Sequence, residues 1–177
     1  LAIPLGAYLT LDSFASASAA ALAGGTTTIV DFAIPVPGED PVVALDKKLD
    51  MAHESHCDYA FHGCLGARPD DVQAVIDAFA NRGVRTVKLF TTYRGELMVD
   101  LETIEAVMVA LQRHEGLTYI HAEENTAIEA AQNEAATAGR IDARHMAGSR
   151  PAAAEEDAVA QVLGVAEKVG APVYFVH

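Results

Sequence analysis

Along the chain, apolar positions switch repeatedly between two periods. Runs rich in β-branched and aromatic residues occur at Thr26–Ile34 (TTTIVDFAI), Asp58–Leu65 (DYAFHGCL), Val84–Arg94 (VRTVKLFTTYR), Leu117–Ala122 (LTYIHA) and Pro172–His177 (PVYFVH). Their near-continuous apolar character suits strands covered on both faces. Between them the spacing is helical, with Val72, Val75, Ile76 and Phe79 on one face and Ile104, Val107, Met108 and Leu111 on another. The breakers agree with this alternation. Asp12 is expected to cap SFASASAAALA, which Gly24 and Gly25 end, and Asp40 with Pro41 opens a helix reaching roughly His56. Pro69 to Asn81 forms the next, and Asp100 caps Leu101 to Glu115. An alanine-rich acidic helix follows Ala122, and Gly139 to Gly148 is irregular. A long helix starts after Ser149-Arg150-Pro151 and stops at Gly170.

Strand and helix thus alternate five times at a repeat near 30 residues, without a hairpin signal, which predicts an α/β fold with a parallel sheet. An open doubly wound sheet would carry a glycine-rich first turn, and neither a GxGxxG nor a phosphate loop occurs. A closed (β/α)8 barrel needs eight strands and about 250 residues. Five strands in 177 residues therefore predict a partial (β/α)8 TIM barrel, a single unit over 1–177 that belongs to a longer catalytic barrel.

Composition narrows the partners. With 25 acidic against 12 basic residues the net charge is -13, and no basic cluster is present, so neither nucleic acid nor an anionic membrane surface is expected. Cys57 and Cys64 flank a candidate strand at a spacing that fits neither a disulfide framework nor a zinc knuckle, in keeping with a reduced, cytoplasmic setting. No apolar run approaches the ~18 residues of a membrane span.

The candidate chemistry lies on the strands. Lys88 sits in the middle of an apolar run, where desolvation lowers the amine's pKa and exposes its nucleophilic neutral form. One bland alternative is a core lysine paired with a carboxylate. His121 and His177 stand at or near the ends of two following strands, and side chains at those ends of a barrel converge on one mouth. Neutral imidazoles from adjacent strands are common zinc ligands, each needing its second nitrogen oriented. A lysine amine becomes a good ligand on adding carbon dioxide, because the carbamate offers two oxygens able to bridge two ions. His62, alone on its strand, reads as a hydrogen-bonded core residue.

Taken together, the segments GGTTTIVDFAIP (Gly24–Pro35), DYAFH (Asp58–His62), VKLFTTY (Val87–Tyr93), HAEEN (His121–Asn125), SRP (Ser149–Pro151) and the terminal VYFVH resemble the cyclic amidohydrolases, the hydantoinases, dihydropyrimidinases and related allantoinases. The resemblance covers essentially the whole chain in the family's order. It implies that Lys88 is a carbamylated lysine bridging two divalent ions of the zinc type, with carbon dioxide as the source of the carbamate. It further implies that His121 and His177 are metal ligands and that Tyr93 hydrogen-bonds the scissile carbonyl as it becomes an oxyanion. Glu123 and Asn125 would orient His121 or cap the following helix, and Arg150 would brace the active-site face or be solvated.

The activity implied is opening of a small cyclic amide, a hydantoin or dihydropyrimidine ring, by a homo-oligomer, dimer or tetramer. A histidine-any-histidine pair before Leu1 and an aspartate beyond His177 would complete the site, so the isolated 177 residues would be inactive. HAEEN carries one residue more than the expected HAEN. Two other readings remain open on the residues alone: a barrel aldolase forming a Schiff base on Lys88, and a non-catalytic, dihydropyrimidinase-like scaffold.

Overall fold

In the computed structural model, which describes residues 1, 3–5 and 8–177, the predicted alternation is present. The elements run β1 (Pro4–Leu5), β2 (Tyr8–Leu9), α1 (Phe14–Ala23), β3 (Thr28–Ala33), α2 (Pro41–Ala52), β4 (Asp58–Cys64), α3 (Val72–Asn81) and β5 (Thr86–Phe90). They continue with α4 (Leu101–Gln112), β6 (Leu117–His121), α5 (Asn125–Thr137), two short 3-10 turns (Ala143–His145 and Ala147–Ser149), α6 (Ala152–Val169) and β7 (Val173–Phe175). No helix among the described residues is long and apolar enough to cross a membrane.

The five long-range strands pair in parallel in the order β3-β4-β5-β6-β7. Sequence order equals spatial order, with no reversal. Because crossovers are right-handed, a sheet that never reverses carries all its helices on one face, the winding of a (β/α)8 barrel and not of a doubly wound sheet. The chain is therefore a partial TIM barrel. The helix-covered face holds the main core, where Phe61, Val87, Leu89 and Ile120 pack against Ile76, Phe79, Val107 and Val162. Gly63 shows how closely α3 approaches: a Cβ there would lie 2.5 Å from the Phe79 ring.

Across the opposite face runs a row of aromatic and basic side chains. Phe32 contacts His62 at 4.9 Å between ring centres, His62 contacts Tyr119 at 4.4 Å, and Tyr119 contacts Tyr174 at 4.8 Å. Lys88, Phe90 and His121 share this face by alternation.

Several boundaries differ from the sequence reading for local reasons. Ser13, not Asp12, caps α1, because its hydroxyl and that of Ser16 exchange hydrogen bonds with each other's backbone amides. Helix α2 stops at Ala52, four residues before His56, where a turn closed by Ser55 N–H to the Ala52 carbonyl takes over. Asp71 caps α3, which leaves Pro69 outside. Asp40 and Asp100 cap α2 and α4 as expected. The antiparallel β1–β2 pair has no counterpart in the apolar pattern, being only two residues per strand.

Candidate active site

The strand expected over Val84–Arg94 runs only from Thr86 to Phe90, and its C-terminal end is where the candidate chemistry gathers. Thr91 ends it by turning its polar groups to β6: its amide donates to the His121 carbonyl at 3.1 Å, and its hydroxyl accepts from the Glu123 amide at 2.8 Å. Two residues later the backbone of Tyr93 enters the left-handed region at φ 69° and its carbonyl accepts three amides, from Glu96, Leu97 and Met98. A non-glycine residue in that region costs of order 1 kcal/mol, so this turn is held by its surroundings.

Lys88 lies inside the sheet face, 3% exposed. Its amine has no hydrogen-bond partner among the described residues. The Phe90 and Phe32 ring centres lie 4.7 and 5.8 Å away, offering an ammonium an aromatic face but no acceptor. Its register neighbour Cys64 supplies no counter-charge, since burial pushes that thiol up to about 12. Burial lowers Lys88 from the ordinary 10.5 to about 8. Among the described residues no carboxylate pairs with Lys88, as the core-lysine alternative would need.

His121 and His177 meet across β6 and β7, His121 Nδ1 lying 2.8 Å from His177 Nε2. The other nitrogen of His121, Nε2, is 2.5 Å from Glu123 Oε2. Burial works to raise Glu123, but hydrogen bonds from His121 and Arg150 outweigh it and hold the carboxyl below its ordinary range. An ionised carboxylate only accepts, so Nε2 carries the imidazole proton and Nδ1 keeps the lone pair. Burial favours neutral His121, against the pull of Glu123. With Nδ1 of His121 as acceptor, the 2.8 Å contact makes His177 Nε2 the donor, so the two imidazoles are hydrogen-bonded to each other at this point, and both would serve a metal only once His177 shifts that proton to its Nδ1.

Tyr93 lies beside them, its ring centre 5.4 Å from that of His121. Arg150 ion-pairs with Glu123, and its Nη2 donates to the Tyr93 hydroxyl oxygen at 3.3 Å. Arg150 therefore braces this face and is not simply solvated. Of the residues expected to orient His121, Glu123 does so, whereas Asn125 accepts from the Thr92 hydroxyl at 3.2 Å and ties the β5–α4 connection to α5. Glu124, the additional residue of HAEEN, caps α5 through the amides of Thr126 and Ala127, which leaves Glu123 free for His121. His62 is a satisfied core residue, its Nδ1 2.6 Å from the Thr86 hydroxyl.

Tyr93, His121, Glu123, Met146, Arg150 and His177 line a cleft of about 290 Å3. A larger cleft of about 410 Å3, lined from α4 and α6, shares Glu123, but no histidine lines it, so the candidate chemistry is assigned to the smaller one. Among the described residues, no group of three or more His, Cys, Asp or Glu side chains is arranged to hold a metal ion. The donor set suits a metal through two imidazoles, and Lys88 can add to it only in anionic, modified form.

No family model matches the chain. It is 34% identical to the D-hydantoinase of Ralstonia pickettii over 167 residues, 94% of this chain and 36% of that protein. It is 33% identical to the dihydropyrimidinase of Arabidopsis thaliana over 172 residues, 95% of this chain and 32% of that protein. Among solved structures, a D-hydantoinase 32% identical superposes with a TM-score of 0.93 over 99% of this chain and 38% of its own. The dihydropyrimidinase from Brevibacillus agri NCHU1002, 30% identical, gives 0.93 over 100% and 39%. The chain spans less than two-fifths of the length of these relatives. Over the part of them that it spans, in both sequence and winding, the chain belongs to the hydantoinase and dihydropyrimidinase family.

Proposed function

We propose that the protein carrying this chain opens a cyclic amide of the hydantoin or dihydropyrimidine type, and that Lys88, His121 and His177 are this chain's contribution to a two-metal site. The observation that carries the reading is the amine of Lys88, without a hydrogen-bond partner among the described residues and buried on the same sheet face as His121, whose imidazole meets that of His177 at 2.8 Å. With a pKa of about 8, about a quarter of that amine is neutral at pH 7.5, against about a thousandth for a solvated lysine. The neutral nitrogen adds to the carbon of carbon dioxide and loses a proton to solvent. The product is a carbamate anion with two oxygen donors.

His121 Nδ1 and, once its proton has moved to Nδ1, His177 Nε2 would supply the imidazole donors, and Glu123 keeps His121 in the tautomer whose Nδ1 carries the lone pair. Two divalent ions, zinc by this donor set, would supply an activated water and compensation of developing negative charge. Tyr93 stands at the cleft beside His121, and its phenol donates to the ring carbonyl oxygen as that oxygen gains charge on becoming tetrahedral. The scaffold reading accounts for neither the orphaned amine nor the oriented imidazoles.

The test is hydrolysis of hydantoin and dihydrouracil by the full-length protein, purified with metal, stripped by chelator and then reconstituted. Ring opening that disappears on stripping and returns with zinc supports the reading. Undiminished hydrolysis in the stripped protein, or none after reconstitution, contradicts it.

A further inference from the structure

Tyr93, Glu123 and Arg150 come from three separate connections: the β5–α4 turn, the β6–α5 turn and the start of α6. One guanidinium reaches both of the others. Arg150 Nη1 donates to Glu123 Oε2, and Nη2 donates to the Tyr93 hydroxyl oxygen at 3.3 Å, with the guanidinium carbon 5.3 Å from the Tyr93 ring centre. The arginine side chain is only 21% exposed, and that of Glu123 only 14%. Tyr93 also has a left-handed backbone, at φ 69°, so neighbouring contacts must hold its turn and fix where its ring stands.

The donor and acceptor inventory gives the contact a direction. Arginine has no acceptor, so the phenol oxygen must accept from it, and the tyrosine's single O–H is left to donate elsewhere. The carboxylate has no donor, so the nitrogen of His121 facing it must carry the proton. A lysine ammonium has three donors but all on one nitrogen, without the planar fork whose separate Nη1 and Nη2 here serve Glu123 and Tyr93.

We infer that Arg150 is a positioning residue that sets both halves of the site at once, turning the Tyr93 hydroxyl proton toward the cleft and holding the Glu123 carboxylate that orients His121. This rests on the functional reading of Tyr93 as the carbonyl donor and His121 as a ligand. Arg150 touches neither substrate nor metal in this scheme. It acts only through those two residues.

The experiment compares wild type, Arg150→Ala, Arg150→Lys, Tyr93→Phe and the double variant Tyr93→Phe/Arg150→Ala in the full-length protein. It measures zinc affinity by competition with a chromophoric chelator, and kcat and KM on hydantoin. Arg150→Ala is expected to weaken zinc binding ~10-fold or more through loss of the outer orienting group. It should lower kcat ~100-fold with KM within ~3-fold of wild type. In the Tyr93→Phe background the same change should cost kcat at least ~10-fold less, since the hydroxyl it directs is already gone. Arg150→Lys should keep most of the zinc affinity but not kcat.

Zinc affinity and kcat within two-fold of wild type for Arg150→Ala, or losses that simply multiply with Tyr93→Phe, would overturn the inference. If Arg150→Ala does not fold, Arg150→Lys decides through kcat, and wild-type turnover there overturns it. A wild-type protein that hydrolyses no cyclic amide refutes the functional reading, and the zinc competition then still decides whether Arg150 acts on His121 through Glu123.

Discussion

Glu123 Oε2 takes the proton-bearing nitrogen of His121 at 2.5 Å, only two residues along the chain, and so fixes which imidazole nitrogen is left for a metal. Glu123→Gln replaces one acceptor oxygen by a donor group and removes the charge. Zinc affinity of the full-length protein should fall ~10- to 100-fold, the range for losing such an outer-shell partner. Chelator competition measures this, and an unchanged affinity would reduce Glu123 to a structural ion pair with Arg150.

Tyr93→Phe removes only the hydroxyl. If that group donates to the developing oxyanion, kcat should fall ~100-fold or more while bound zinc, measured by elemental analysis, stays constant. Turnover equal to wild type would return Tyr93 to a packing role in its turn.

Lys88 carries a pH dependence whose sign follows from its depressed pKa. In metal-free, carbon-dioxide-free protein the folded amine releases its proton near pH 8, whereas the unfolded chain holds it to about the ordinary 10.5. Between those values the unfolded state binds more protons, so stability rises with pH across the window and lies at its lower level below about 8. Urea unfolding from pH 7.5 to 10 should show a rise on the order of 1–3 kcal/mol that Lys88→Met abolishes. A Lys88→Met profile parallel to wild type would show that the amine is solvated.

The strands and the site were legible in the sequence to different depths. Lys88 stands out because a charged residue inside the apolar run VRTVKLF needs either a counter-charge or a function, and His121 and His177 because they stand at or near the ends of their strands. The barrel winding was implied by the alternation but rests on the strand order, which no period encodes. Glu123 and Glu124 are adjacent and chemically identical, so the sequence could not say that one caps α5 and the other faces His121. Arg150 meets Tyr93 across 57 residues, a contact that exists only once α6 is packed. The serine cap of α1 was hidden by Asp12, an equally good capping residue one position earlier.

Lys88→Ala separates the two chemistries that a buried lysine offers. If the missing function is a carboxylate-like bridge, the variant should lose metal and activity, and a short added carboxylic acid should restore part of both. Rescue by a small amine, or a substrate adduct trapped on Lys88 by borohydride in the wild type, would instead establish the Schiff-base aldolase.

Whether Lys88 carries carbon dioxide decides the proposed two-metal chemistry most directly. Full-length, zinc-loaded protein equilibrated with 13C-labelled bicarbonate should show, by 13C NMR, one carbamate carbon per chain that is absent from Lys88→Ala. A zinc-loaded, catalytically active protein with no labelled carbamate would contradict the account.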